Sequence, residues 1–221
     1  MHNLVIAPHA DDETLGCGAT LKKLKENGEK IIWVLVTNPS NSLKMNSGDL
    51  KCRELTIEAV KKAYEFDEYF ELGFPAAELD TVALSQIIAL TKKCLPSNGS
   101  LKIFAPFPGD AHSDHEVCFK VATSISKWFR NKDFGGLYCY ETLSETEFGI
   151  DPTKLGFRPN IYSDVTDYMN FKIETMNLYK TEIGKFPFPR SEKAIEALAR
   201  TRGIEAGFEF AEAFMLLRGY I

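Results

Sequence analysis

Short apolar runs alternate with longer stretches of helical period along the chain. The apolar runs are NLVIA at 3–7, KIIWVLVT at 30–37, EYFEL at 68–72, LKIFA at 101–105, GLYCYE at 136–141 and AFMLLR at 213–218. Their length and their content of β-branched and aromatic residues are typical of strands. Helices are predicted between them at 13–27, 49–66, 78–95, 114–130 and 166–183. This alternation predicts βαβ units and an α/β fold whose parallel sheet is covered on both faces.

The same pattern predicts one domain rather than two. A chain of 221 residues can build a single large core, and no repeat, low-complexity tract or shift in composition marks a linker. The proline-rich loop GKFPFPR at 184–190 is too short to divide domains. We expect this loop to wall a pocket instead.

Composition and charge exclude several classes of function. The chain is 44% hydrophobic and 26% charged, as ordinary globular proteins are. Its net charge of -5, without a cluster of Lys and Arg, argues against nucleic acid as a partner. No apolar run approaches the ~20 residues of a membrane span, and the first residues do not resemble a signal peptide, so we predict a cytoplasmic protein. The five cysteines form no CxxC pair and are predicted to be reduced core thiols.

A histidine and three acidic residues directly follow the first predicted strand, in the string IAPHADDETLGCGAT at 6–20. Helix capping accounts for the carboxylates of Asp11, Asp12 and Glu13, because Asp is a favoured N-cap and the helix dipole stabilises each first-turn carboxylate by ~0.3–1 kcal/mol. Capping does not account for His9, since a cationic side chain gains nothing at the amino end of a helix. The histidine therefore indicates a different chemistry.

The glycines of this string do not form a dinucleotide-binding fingerprint. Gly16 lies well past the end of the strand, and Leu21 occupies the position of the third glycine. Gly16 and Gly18 are predicted to permit close helix packing. A nicotinamide-dependent enzyme would then be supported by the fold class alone, which does not fix function.

The construction recurs in IFAPFPGDAHSDHEV at 103–117, where His112 and His115 stand at the entry to a predicted helix. The carboxyl ends of parallel strands line one crevice, so the two strings can meet across a hundred residues. Three of the four histidines of the chain lie in these two strings. A hydrogen-bonded core histidine is the alternative for any one of them. Together, imidazoles and a carboxylate suit Zn²⁺, and three protein ligands leave a position open for water.

The strings PHADDE and DAHSDH resemble the signature pair of the LmbE/PIG-L-type zinc-dependent de-N-acetylase family. The first family motif normally reads Pro-His-Pro-Asp-Asp-Glu, with Ala10 here in place of the second proline, and the second reads His-x-Asp-His. GEKIIWVLVT at 28–37 and ARTRGIEAGFEFAEAFMLLR at 199–218 extend the similarity over nearly the whole chain. The resemblance implies a single domain over residues 1–221, a Rossmann-like three-layer sandwich with a mostly parallel sheet. It also implies hydrolysis of the N-acetyl group of an N-acetylglucosamine-type sugar conjugate.

The resemblance also implies the residues of the site. His9, Asp12 and His115 would hold Zn²⁺, Asp11 would act as general base, and protonated His112 would stabilise the transition state. Asp110 and Asp114 would orient or charge the imidazoles, and Asp114 is predicted to be a catalytic residue together with Asp11 and His112. Helix capping is the alternative for both of these carboxylates.

Two further residues receive weaker assignments. Arg53 resembles an arginine that meets the sugar substrate, and a solvated helix surface accounts for it equally well. Glu13 matches the family string but receives no task beyond first-turn electrostatics or a hydrogen bond within the site.

The string VTNPSNSLKMNSG at 36–48 departs from the family, which more often has Thr-x-Gly and an acidic residue there, and leaves the substrate open. One alternative is an amidase on a thiol conjugate, or a deacylase on a larger acyl group. Another is a noncatalytic zinc-dependent sugar-binding module, which would not need Asp11 or His112. Relatives of this kind are often oligomeric, so a homo-oligomer is implied by the resemblance although no residue demonstrates it.

Overall fold

The computed structural model describes residues 1–41, 46–129, 131–153 and 156–220, and its strands form one sheet. The strands are β1 (His2–Ala7), β2 (Lys30–Thr37), β3 (Glu68–Phe74), β4 (Leu101–Pro106), β5 (Phe134–Tyr140), β6 (Ile161–Asp164) and β7 (Ala211–Gly219). The α-helices are α1 (Asp12–Glu26), α2 (Ser47–Tyr64), α3 (Leu84–Lys93), α4 (Ser113–Ile125), α5 (Met169–Met176) and α6 (Glu192–Ala206). Short 3₁₀ helices lie at Pro39–Asn41, Leu79–Thr81 and Thr166–Tyr168.

The sheet has the strand order β3-β2-β1-β4-β5-β7-β6. Strands β1 to β5 run parallel, and β7 is antiparallel to both of its neighbours. The chain winds outward from β1 to β3 and then crosses to β4, which pairs with β1 in the register Val5 to Phe104. This arrangement creates a switch point, and a crevice, at the carboxyl ends of β1 and β4. The predicted α/β class with a mostly parallel sheet is confirmed.

Alternating side chains of the central strands build a separate core on each face of the sheet. On one face, Val5 and Trp33 belong to a cluster with side chains of α1, α2, α5 and α6. On the other face, Leu4 and Ile103 belong to a cluster with α3 and α4. Strands buried on both faces read as continuously apolar runs, which is why the sequence pattern located them.

Two elements, β6 and α6, are absent from the sequence-based prediction. Helix α6 begins after Ser191, whose side chain accepts a hydrogen bond from the Ala194 amide, and ends at Gly207 with φ of 79°. Both residues are ordinary helix boundary signals. Strand β6 has four residues and pairs only with β7, so its short pattern carries little information.

Three predicted helices are too long. The prediction for 166–183 covers a 3₁₀ turn followed by α5, and the prediction for 78–95 covers a 3₁₀ turn followed by α3. The prediction for 114–130 covers α4, which ends at Ile125, and residue 130 lies outside the described residues.

The cysteine prediction is confirmed in part. All five cysteines are free, and four are buried, but Cys52 is exposed on α2 and is not a core thiol. In the described parts of the chain, no helix combines the length and the apolar character needed to cross a membrane.

Candidate active site

The two histidine-containing strings meet at the crevice between β1 and β4. His9 follows β1, whereas His112 and His115 stand at the start of α4. The ring centroids of His9 and His112 are 4.4 Å apart, and each lies 5.7 Å from the centroid of His115. The fold therefore brings three imidazoles from two distant segments to one place.

His9, Asp12 and His115 present nitrogen and oxygen atoms to a common point. Asp12 Oδ2 lies 3.2 Å from His9 Nδ1 and 3.4 Å from His115 Nε2. The ligand atoms of the three residues all lie within 4.8 Å of one another. A second group, formed by His9, His112 and Asp114, meets the same distance limit and shares His9.

The Nε2 atom of His115 tests whether this group fits a metal ion. The atom is buried, and it has no hydrogen-bond partner among the residues that the structure describes. Buried polar atoms are normally satisfied, and one that is not requires an explanation such as an ion. Two imidazole nitrogens and one carboxylate oxygen are a donor set suited to Zn²⁺ and similar divalent ions. The residues therefore fit a divalent metal ion.

A carboxylate holds the far side of His115. Asp110 Oδ2 lies 2.7 Å from His115 Nδ1, and the Thr146 hydroxyl donates to Asp110 Oδ1 at 2.7 Å. This contact places the imidazole proton on Nδ1 and leaves Nε2 as the ligand atom. Such partners fix the tautomer and the ring orientation of metal-binding histidines.

Asp114 plays the corresponding part for His9, at 3.0 Å from its Nε2 atom. It also accepts hydrogen bonds from the amides of Ala77 at 2.7 Å and Leu79 at 3.0 Å. The alternative of helix capping does not describe Asp110 or Asp114, because the residue that caps α4 is His112. Each motif thus supplies one imidazole to the group of His9, Asp12 and His115, and the second motif supplies the carboxylates behind both imidazoles.

The carboxylates make this a site that attracts positive charge. Burial by itself would lower the pKa of His9, but hydrogen bonds with Asp114 and Asp12 raise it to about 10. Burial also acts to lower the pKa of His115, but Asp12 and Asp110 outweigh burial and raise this pKa. The pKa of Asp12 stays well below its usual range because the two imidazoles outweigh its desolvation. A divalent cation can replace the two imidazole protons.

Asp11 stands beside this group with its side chain left out of helix capping. Its backbone has φ of 144° and ψ of -27°, and its side chain makes no cap hydrogen bond. A positive φ is costly for a residue other than glycine, and such strain is found at functional sites. Burial and the neighbouring charge of Asp12 raise the pKa of the Asp11 carboxyl, against the opposing effect of Arg190.

Arg190 is a site residue that the sequence analysis missed. Its Nη1 atom lies 3.8 Å from Asp11 Oδ2, and its guanidinium stacks at 5.4 Å on the ring of Phe188. The Glu182 carbonyl accepts from Nε at 2.7 Å, and Ser144 Oγ accepts from Nη1 at 3.3 Å. Arg190 ends the loop that we expected to wall a pocket, and this expectation was the only signal for it.

Glu13 makes hydrogen bonds within the site, one of the two tasks expected for it, and one of these bonds supports the strained turn at Asp11. It is fully buried and accepts hydrogen bonds from the hydroxyls of Thr14 and Tyr179, both at 2.6 Å. Its Oε2 atom also accepts from the Asp11 amide at 3.2 Å. Burial raises the pKa of Glu13 to about 7, although the two hydroxyls oppose the rise.

His112 differs from the sequence-based expectation of a protonated side chain. Its Nδ1 atom accepts a hydrogen bond from the Asp114 amide at 3.1 Å, so that nitrogen carries no proton in this arrangement. Burial and the nearby charge of His9 lower the pKa of His112. A neutral ring with its proton on Nε2 can still donate one hydrogen bond.

The observed partner of Arg53 lies outside the histidine motifs. It forms an ion pair with Glu71 at 2.6 Å, and among the described residues it has no hydrogen bond or ion pair with the histidines and aspartates of the site. Of the departing string at 36–48, residues 42–45 lie outside the described residues. Thr37 in that string donates to the Pro8 carbonyl at 2.7 Å, next to His9.

The comparison with protein families gives one match that covers more than half of the chain. The family model described as PIG-L, GlcNAc-PI de-N-acetylase, matches residues 4–126, which include both motifs. A curated relative, the diacetylchitobiose deacetylase of Thermococcus kodakarensis, is 25% identical over 233 residues. That alignment covers 98% of this chain and 83% of the relative.

Solved structures share the fold at low identity. The N,N′-diacetylchitobiose deacetylase from Pyrococcus horikoshii, complexed with its inhibitor MPG, has a TM-score of 0.74 at 21% identity and covers 98% of this chain and 83% of its own. The 4-carboxy-2-hydroxymuconate hydratase from Pseudomonas putida KT2440 has a TM-score of 0.68 at 15% identity, with coverage of 100% and 97%. Proteins with this fold therefore catalyse more than one reaction, so function has to be argued from the residues of the site rather than from the fold.

Proposed function

This chain belongs to the PIG-L family of de-N-acetylases, and on that premise we propose that it hydrolyses the N-acetyl group of an N-acetylglucosamine-type sugar to acetate and a free amine. The observation that carries the proposal is the pairing of a three-residue ligand group with a buried carboxylate, Asp11, that the fold does not use as a cap. The name of the Thermococcus relative makes diacetylchitobiose the first substrate to test.

The proposed cofactor is Zn²⁺, held by His9 Nδ1, Asp12 Oδ2 and His115 Nε2. The unpartnered His115 nitrogen and the mixed nitrogen and oxygen donors support this choice. When bound, such an ion polarises the acetyl carbonyl and makes a water molecule more acidic. Three protein ligands leave room in the coordination sphere for these groups.

Asp11 is the proposed general base and then the general acid. Its carboxylate accepts a proton from the attacking water, whose oxygen forms the new bond to the acetyl carbon. It then returns that proton to the sugar nitrogen as the carbon–nitrogen bond breaks. The raised pKa of Asp11 suits this double task, because a group that accepts and returns a proton works best with a pKa close to the working pH.

His112 is the proposed hydrogen-bond donor to the acetyl oxygen. Its Nδ1 atom is occupied by the Asp114 amide, so the Nε2 proton is the one available to stabilise the developing oxyanion. Asp110 and Asp114 act through the imidazoles that they orient. In this proposal Asp114 is a positioning residue rather than one that touches the substrate.

A noncatalytic sugar-binding module would retain the three metal ligands alone. It would not need Asp11 in a strained backbone conformation, facing an arginine, beside the ligand group. That feature favours catalysis over binding. The thiol-conjugate amidase and the deacylase on larger acyl groups share the same reaction and differ only in the substrate.

An acetate-release assay tests the proposal. Metal-free protein and protein loaded with one equivalent of Zn²⁺ are each incubated with N,N′-diacetylchitobiose and with N-acetylglucosamine. We expect acetate and free amine in equal amounts from the loaded protein, and His9→Ala should lose both Zn²⁺ and activity.

The acyl group is tested with matched N-acetyl and N-butyryl sugars. Faster hydrolysis of the butyryl sugar would replace the de-N-acetylase by a broader deacylase. Stoichiometric Zn²⁺ uptake without hydrolysis of any acylated sugar would favour the binding module.

A further inference from the structure

Helix α1 is broken one and a half turns after it starts. Cys17 has φ of -147° and ψ of 16°, which is not helical, and the residues on both sides are helical. The first segment, residues 12–16, carries Asp12 and follows Asp11. The direction of this short segment therefore decides where both aspartates point.

A buried ion pair from two other elements occupies the break. Glu212 of β7 accepts from the Ala19 amide at 3.0 Å and from the Thr20 amide at 2.7 Å. Lys172 of α5 donates to the Leu15 carbonyl at 2.7 Å and to Glu212 at 2.6 Å. In an unbroken helix the Ala19 amide would donate to the Leu15 carbonyl. The ion pair thus binds both partners of one helical hydrogen bond and holds them apart.

Stability alone does not account for this arrangement. Lys172 is 5% exposed and Glu212 is 4% exposed, so both charges have lost most of their hydration. Desolvation of two such charges is expensive, and well-packed apolar residues are often as stabilising as a buried ion pair. Buried ion pairs are better attested as devices that specify one geometry over another.

An aromatic ring also packs against the first segment of α1. The Tyr140 ring of β5 lies against Gly16, where a Cβ atom would collide with it, and the Tyr140 hydroxyl donates to the Ile6 carbonyl of β1 at 2.8 Å. The segment therefore has contacts with Tyr140 of β5 as well as with the ion pair. Gly18, by comparison, gives room to the Tyr64 hydroxyl of α2. The prediction that these glycines permit close packing is confirmed.

We propose that Lys172 and Glu212 are positioning residues for the metal site, which hold α1 broken so that Asp12 faces His9 and His115. Without the pair, the Leu15 carbonyl and the Ala19 amide are free to form the ordinary helical bond. The segment would then turn, and the carboxylate of Asp12 would leave the point that it shares with the two imidazoles. The inference rests on the proposed function only in taking these three residues as the metal ligands.

The test variant is Lys172→Met with Glu212→Gln, which removes both charges and keeps the volumes similar. The matched control is Arg202→Met with Glu141→Gln. That pair is also largely buried and bidentate, at 2.6 and 2.7 Å, but within the described part of the chain it makes no hydrogen bond with α1. Circular dichroism establishes that both variants are folded before Zn²⁺ is titrated into the metal-free proteins.

We expect the test variant to bind Zn²⁺ at least about tenfold more weakly than wild type, as loss of groups that orient metal ligands typically causes. The control should stay within about twofold. Amide exchange at Ala19 and Thr20, followed by NMR, should change in the test variant and not in the control. At saturating Zn²⁺ the test variant should keep a lowered kcat, because Asp11 is displaced together with Asp12.

Equal Zn²⁺ affinity of wild type and the folded test variant would overturn this inference and leave the proposed function intact. If wild type itself takes up no Zn²⁺, the proposed function fails and the inference fails with it. If the double variant does not fold, Glu212→Gln alone is measured by the same criterion. Should neither fold while the control does, the ion pair serves stability and the inference is wrong.

Discussion

The two helices that deliver the site residues begin in different ways, although their sequences are built alike. Helix α4 starts regularly at His112, with φ of -81° and ψ of 125° and with a side-chain bond to the Asp114 amide. Helix α1 starts at Asp11, with φ of 144° and no side-chain cap, and breaks at Cys17. Both helices follow the same sequence pattern of a strand, a proline-containing turn and a His/Asp cluster. This pattern determines the start of α4 through local contacts, whereas the start of α1 depends on contacts with other parts of the fold.

The contacts around α1 show what those surroundings supply. Glu13 receives the Tyr179 hydroxyl, Arg190 approaches Asp11, and Glu212 receives two amides of α1. All three partners come from the last third of the described chain. Strain near a reactive group persists only where such contacts over-determine it.

The largest effect is expected from Asp11→Asn in the irregular helix start. Asparagine tolerates a positive φ and keeps the shape of the side chain, but it cannot accept the proton from water. We expect kcat for deacetylation to fall ~10³- to 10⁴-fold, toward the upper range of general acid-base catalysis, while Zn²⁺ stoichiometry stays unchanged. Steady-state kinetics and metal analysis measure the two quantities. Unchanged turnover would transfer the proton shuttle to His112.

The pH dependence of Zn²⁺ affinity separates the two motifs through their imidazoles. His9, with a pKa of about 10, and His115, with a raised pKa, are both protonated in the metal-free protein near pH 7. Ligation releases both protons, so log affinity should rise with pH between 6 and 8 with a slope of about two. Isothermal titration calorimetry in buffers of different ionisation enthalpy counts the protons. A slope of one would mean that only one motif supplies a protonated imidazole.

The raised pKa of His9 predicts how the stability of the metal-free protein depends on pH. For His9, whose pKa rises from 6.5 unfolded to about 10 folded, the protonated form stabilises the fold fully below pH 6.5. That contribution is lost as the pH rises toward 10. The Tm of the metal-free protein should therefore fall over this range. Zn²⁺-loaded protein, in which the metal replaces the protons, should not show this fall.

A matched pair of variants compares the carboxylates behind the two imidazoles. Asp110→Asn and Asp114→Asn each remove the negative charge behind an imidazole and replace one carboxylate oxygen by an NH2 group, so we expect Zn²⁺ affinity to fall ~10- to 100-fold in each. Asp114→Asn should also destabilise the fold more, because an asparagine cannot accept from both the Ala77 and Leu79 amides as well as from His9. Zn²⁺ titration and urea denaturation give the two numbers. Equal destabilisation would show that those amide contacts contribute little.

The smallest effect is expected from Arg190→Met. A partly exposed ion pair is worth at most ~1 kcal/mol, so kcat at pH 7 should fall no more than about fivefold. Arg190 lowers the pKa of Asp11, so its loss should raise that pKa. The rising limb of the pH-activity profile should then move to higher pH. A pH-rate profile measures this movement, and Arg190→Lys should restore part of it. A profile that does not move would make Arg190 a structural residue.

Periodicity and motif spacing predicted the strands β1 to β5, the parallel class and the two strings that meet at the switch point. These features depend on local sequence patterns and on a general property of parallel sheets. Resemblance added the roles of individual residues, which spacing cannot supply. Helix α6 was missed although Ser191 and Gly207, which mark its ends, are ordinary boundary signals.

The contacts across the fold were beyond reach of the sequence. Nothing local to Arg190 relates it to Asp11, and the ion pair at the break of α1 joins residues of α5 and β7 that are 40 positions apart in the chain. The sequence also could not show that His112 Nδ1 accepts a hydrogen bond from the Asp114 amide, and the role predicted for His112 stays a prediction. The role predicted for Arg53 stays a prediction, and its observed partner is Glu71.

Glu212 lies near the end of the sequence, so during synthesis the site should assemble in a definite order. Ala19 emerges from a ribosome long before its partner Glu212, which follows 193 residues later. A nascent chain that has already folded β1, α1, β4 and α4 holds every proposed metal ligand but lacks the group that keeps α1 broken. Metal capture should therefore lag behind synthesis of the ligands until β7 joins the sheet. Such a delay would keep the growing chain from binding metal in an incomplete coordination geometry.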